Sequence, residues 1–193
     1  MPNAEDADLI QRFVASFERL DDNMWMRHDS PPPEELSAGI DPEDWNRILW
    51  RPAPIETPRD ALSIIHDRAG AELPRLYEHL VLSYRWFEVE LRLFRLLANP
   101  PSTELKPLAD RTFADPVLNN TLIPARFVRF ALAPDDCYDP ICFDLNHYHN
   151  GDCPIVRFEH ESILMHDRIG DSEQIFPSFR KMMQAVVKID ART

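Results

Sequence analysis

The residues best suited to chemistry gather between Asp135 and Leu164. All three cysteines lie there, Cys137, Cys142 and Cys153, with His147, His149 and His160. Around them stand the acids Asp135, Asp136, Asp139, Asp144, Glu159 and Glu161. His147, His149, Cys153 and His160 offer the nitrogen and sulfur donors that zinc takes in threes and fours. On a strand, His147 and His149 would share a face. With Asp144 and Glu161 nearby, this set would suit a metal-dependent hydrolase. Against that reading, HExxH and paired two-by-two ligand spacings are absent, and the residues flank a turn, where polar side chains are commonly solvated. A cysteine nucleophile needs a lowered pKa and a histidine within reach. Cys142, between Ile141 and Phe143, has instead the setting of a small buried hydrophobe. Glycosidase-type work needs two carboxylates across a cleft. As a charged surface the same acids need no tuned pKa and would draw in a basic partner. The preferred reading is therefore non-enzymatic protein binding, with Asp135, Asp136, Tyr138 and Asp139 on the binding surface and neither cofactor nor metal.

The elements that would position these residues follow from periodicity. Asn150-Gly151-Asp152 is a strong hairpin turn signal, set between apolar strands at 141–145 and 155–159. Another strand, 126–130, alternates in type. In 86–93, Phe87, Val89, Leu91 and Leu93 alternate with Glu88, Glu90 and Arg92, the pattern of a half-buried strand, preferred over a single helix continuing through residue 98. A helix opens at Pro74 with Leu76, Tyr77, Leu80 and Val81 as its buried stripe. Another runs from Thr57-Pro58-Arg59-Asp60 to Gly70, a natural C-terminal stop. Residues 103–120 read as helical but weakly patterned, with Pro107 and Pro116 limiting any long run. The closing helix spans about 172–189 with Phe179, Met182, Met183 and Val186 inward and Pro177 in its first turn. Hairpin-joined strands flanked by helices give an α+β fold, with an antiparallel or mixed sheet of about four to six strands packed on helices.

Upstream, residues 5–26 read as an amphipathic helix with Ile10, Phe13, Val14, Phe17 and Leu20 inward. Pro31-Pro32-Pro33 breaks it and begins an extended strap. Asp41-Pro42-Glu43-Asp44 reads as a helix start, opening a short helix that carries Trp45, Ile48, Leu49 and Trp50. Trp45 and Trp50 either anchor this extension to the core or form a partner-binding hot spot. The boundary falls at about residue 55, with a helical extension at 1–55 and the α+β domain at 56–193.

Among 193 residues the formal net charge is −12. Residues 1–60 hold fourteen acids against six arginines. Such a field opposes nucleic acid and anionic lipid. With four glycines, the chain carries none of the GxGxxG, Walker or GxSxG patterns. Long apolar runs and a secretory leader are absent, so a soluble cytoplasmic protein is expected. An odd cysteine count without CxxC favours free thiols.

In order, AELPRLYEHLVLSYRW, YDPICFDL, DCPIVRFEHESIL and a terminal PSFRKMM helix resemble the SUKH superfamily over roughly residues 60–190. Tyr84-Arg85-Trp86 stands where that family often has an Asn-Gly-Gly turn. The resemblance implies a non-enzymatic binding scaffold, with bacterial members similar to immunity proteins that neutralise toxins. The partner it suggests is a basic toxin domain whose active site would be occluded. A housekeeping regulatory scaffold is the other reading within the same resemblance.

Overall fold

The computed structural model describes residues 3–21, 24–134, 137–166 and 168–192. The first helical segment is shorter than its apolar pattern: α1 (Ala4–Ala15) is followed by α2 (Phe17–Leu20). Between them the Ser16 hydroxyl donates to Phe13 O at 2.7 Å, a back-bonding that bends helices. Trp25 and Met26 belong to strand β1 (Trp25–Arg27), not to a continued helix.

The segment expected to be a second helix is a strand. After a 3-10 turn at Glu34–Leu36 come β2 (Ser37–Ile40) and β3 (Arg47–Trp50). They form an antiparallel sheet in the order β1-β3-β2. Asp41 and Asp44, read as helix caps, accept instead from the N–H two residues on, Glu43 at 2.9 Å and Asn46 at 3.0 Å. These Asx turns reverse the chain where a capped helix was expected.

Strand β4 (Ala53–Pro54) leads into a 3-10 turn and α3 (Ser63–Ala69), which Gly70 ends with φ of 66°. Helix α4 (Arg75–Ser83) buries Leu76, Tyr77, Leu80 and Val81, the expected stripe. Strand β5 (Tyr84–Arg85) pairs with β4. The alternating stretch 86–93 places Val89 and Leu91 inside, but it is no single strand: β6 (Val89–Glu90) turns back at Arg92, φ 62°, into β7 (Arg95–Leu96).

Beyond α5 (Lys106–Thr112) and α6 (Pro116–Leu122) come β8 (Phe127–Leu132), β9 (Pro140–Asp144) and β10 (Ile155–Phe158). Helix α7 (His160–His166) and strand β11 (Ser172–Phe176) follow, and α8 (Phe179–Asp190) closes the chain. The start of the expected last helix is thus the edge strand β11, paired with β10. Pro177 lies between strand and helix, and the Ser178 side chain accepts from Lys181 N. The main sheet runs β11-β10-β9-β8-β7-β6, antiparallel throughout. The fold is α+β.

Both faces of this sheet are covered. On one, Phe130 stacks on Phe143 at 4.2 Å, and Tyr77 of α4 and Phe179 of α8 meet them edge-on. On the other, Cys142, Val156 and Phe158 pack with Leu118, Leu122 and Ile163 from α6 and α7. This is why all five residues of β9 are buried. The first face also takes in Leu9, Ile10, Phe13, Phe17, Leu36 and Trp50, so the N-terminal segment and the main sheet share one core. Among the described residues, no helix is long and apolar enough to cross a membrane.

Candidate functional site

The β9–β10 hairpin carries chemistry at both ends. At its tip, Asn150 and Gly151 both take left-handed conformations, φ 53° and 81°, as a two-residue type I′ turn requires. His149 and Asp152 exchange both backbone hydrogen bonds, at 2.8 and 3.0 Å. The tip docks on two helix starts. Gly151 O accepts from Arg75 N of α4 at 2.9 Å. The Asp152 carboxylate accepts from Phe179 N at 2.9 Å and Arg180 N at 3.3 Å, at the start of α8.

The four side chains proposed as metal ligands do not meet. His147 Nδ1 lies 2.7 Å from Asp144 Oδ2, with its ring largely in solvent. His149 belongs to the turn. Cys153 is buried, and burial, then the nearby Asp152 and Asp144, pushes its thiol pKa up. His160 stands at the far end of β10, about 13 Å of strand away at some 3.3 Å per residue. Cys142 is likewise held as a thiol by burial, as its apolar neighbours implied.

At that far end a different group converges. Among the described residues, Cys137, Asp139 and His160 bring one donor atom each to within 4.8 Å of one another. Asp139, expected on the surface, is only 7% exposed. Its Oδ1 accepts from the His160 backbone N–H at 3.0 Å and lies 2.8 Å from His160 Nδ1, while Oδ2 is 3.5 Å from Arg157 Nε. Burial works to raise the Asp139 pKa. Hydrogen bonds from the His160 backbone, the His160 ring and the Cys137 thiol, with the Arg157 charge, outweigh it and hold the carboxyl below its ordinary value. Tyr138 is 64% exposed and meets the His160 ring edge-on at 6.2 Å. Asp135 and Asp136 lie outside the described residues.

The two tryptophans separate. Trp50 is 4% exposed and packs T-shaped on Phe87 at 5.2 Å, which ties the small sheet to the core. Trp45, in the turn before β3, is 73% exposed. It borders a groove of about 640 Å³ together with Trp25, Arg27, His28, Asp29, Asp44 and Arg47, so acids and bases alternate along its wall. The Arg47 guanidinium sits 4.3 Å over the Trp25 ring and 3.2 Å from Asp44, which fixes the groove wall. This groove was not foreseen, because Trp25 was expected on the first helix and Arg47 on another, and the antiparallel pairing that sets Trp25–Arg27 beside Arg47–Leu49 is not local.

In comparisons with known proteins, no family model matches the chain and no curated protein is significantly similar to it.

Proposed function

We propose that this chain is a non-enzymatic protein-binding module whose docking surface centres on Trp45 and its groove. The observation that carries the reading is the exposure of Trp45 beside a groove whose lining sets Asp29 and Asp44 among Arg27, His28 and Arg47. An indole in solvent at the rim of a preformed groove is the kind of anchor that dominates protein interfaces. The net charge of the whole chain, −12, rather than the mixed lining of the groove, favours a basic partner and opposes nucleic acid. The resemblance of residues 60–190 to the SUKH superfamily supports the finer reading, an immunity protein that occludes the active site of a basic toxin.

The test is affinity capture from the native host with wild type and Trp45→Ala, at low and high salt. Wild type retains a basic protein, added salt slows its association, and Trp45→Ala loses it. Co-expression of the chain then protects cells from the captured protein. Capture that is indifferent both to salt and to Trp45→Ala would overturn the proposal.

A further inference from the structure

We propose that Cys137, Asp139 and His160 form a binding site for a single transition-metal ion of the zinc class. The three donor atoms lie within 4.8 Å of one another, and Asp139 and His160 are 2.8 Å apart at their closest. A tetrahedral zinc site holds its ligand atoms about 3.5 Å apart, given bond lengths near 2.0–2.3 Å. Adjustments of about an ångström in the three side chains therefore suffice.

The set mixes a thiolate, a carboxylate and an imidazole, which suits Zn2+ and its spectroscopic substitute Co2+ better than Mg2+ or Ca2+. Cys137 is also the only cysteine that is not buried. Its side chain and that of Asp139, two residues on, reach the same carboxylate-centred cluster, and His160 arrives from the neighbouring strand end.

In the metal-free protein, Asp139 accepts hydrogen bonds from the Cys137 thiol and from His160. An M2+ ion replaces those shared protons. The Cys137 thiol releases its proton to solvent as the metal–sulfur bond forms, and the neutral His160 ring shifts its proton from Nδ1 to Nε2 through solvent, which frees the Nδ1 lone pair for the metal. Arg157, now beside Asp139, has a second acceptor in Glu173 at 4.0 Å, so it keeps a partner when the metal takes the carboxylate. The His160 backbone N–H still holds Asp139 in place, the orienting support that metal-bound carboxylates usually have. Three protein ligands leave the fourth position to water.

The test uses the full chain, reduced and freed of metal with a chelator, then titrated with Co2+ alone. The expected result is uptake of one ion per chain, with near-ultraviolet absorption from a thiolate–metal bond. Cys137→Ser abolishes that absorption, and His160→Gln weakens Co2+ binding tenfold or more. In wild type, saturation with Zn2+ protects Cys137 from alkylation at least tenfold, read by mass spectrometry, a measurement that needs no variant. Absence of stoichiometric uptake, unchanged thiolate absorption in Cys137→Ser, or unprotected Cys137 under Zn2+ would each overturn the site and leave the cluster as a cap for α7.

Discussion

At the scale of single residues, neighbours of one type divide into opposite roles according to burial. Trp45→Ala is expected to change stability by less than about 0.5 kcal/mol, because an exposed side chain makes few contacts. Trp50→Ala should cost about 3–5 kcal/mol, the loss of a buried aromatic. Urea unfolding of both variants checks the contrast. His79 gives a pH signature. Its Nδ1 is buried and has no hydrogen-bond partner among the described residues. Burial, ahead of the Arg59 charge, lowers its pKa, and Asp6 and Glu78 only partly oppose this. The unfolded chain, with an imidazole pKa of about 6.5, therefore binds a proton more readily than the native one. The His79 contribution is complete above that pH and is lost as pH falls through the lower native value. Unfolding midpoints at pH 7.5 and 5.5 should fall further in wild type than in His79→Gln; equal shifts would show that His79 is not the titrating group.

At the scale of elements, the β9–β10 hairpin organises the fold through its tip, because Gly151 O and Asp152 satisfy backbone donors at the starts of α4 and α8. Asp152→Ala should cost about 2 kcal/mol through uncapping of α8. Gly151→Ala should cost about 1–3 kcal/mol, since a Cβ there meets the Arg75 side chain at 2.7 Å and φ is 81°. Thermal unfolding of both variants reads these losses. The hairpin was legible because Asn-Gly demands a type I′ turn, and Gly70 marked a helix end for a similar reason. The site at the opposite end was not legible, because register does not propagate from the turn. His149 faces Asp152 at the tip, yet Phe143 faces Ile155 in the strands. Counting outward from the turn alone would set Phe143 opposite Phe158. The 3-10 turn at Leu145–His147 absorbs the difference and so brings His160 beside Asp139. The strand at Arg47–Trp50 was hidden by a related ambiguity. An aspartate before Pro-Glu-Asp caps a helix or forms an Asx turn with the same local hydrogen bond, and pairing with β1 and β2, which is not local, decides between them.

For the molecule as a whole, the question is whether the acidic N-terminal third is an appendage or part of the fold. The shared core argues for the second. Phe13 and Phe17 meet edge-on at 5.1 Å, and Phe17 meets Trp86 at 6.2 Å. Helix α1 lies against α8, where Arg180 pairs with Asp6, and Arg19 of α2 holds Asp190 at the other end of α8 with two bonds of 2.5 Å. Cutting at the proline-rich boundary near residue 55 would remove Leu9, Ile10, Phe13, Phe17, Leu20, Leu36 and Trp50 from the core. It would also uncover the α8 surface they cover. Each such side chain is worth about 1.5–3 kcal/mol when buried, so their combined loss is comparable to or larger than the roughly 5–15 kcal/mol stability of a whole domain. A chain of residues 56–193 is therefore expected to be unfolded or aggregated, with no cooperative melting by circular dichroism. A monomeric, cooperatively melting product would show instead that the main sheet and its helices stand alone. If the acidic segment is integral to the core, the Trp45 groove is held on a rigid support, and a partner would meet a preformed surface without the ordering cost of a flexible arm.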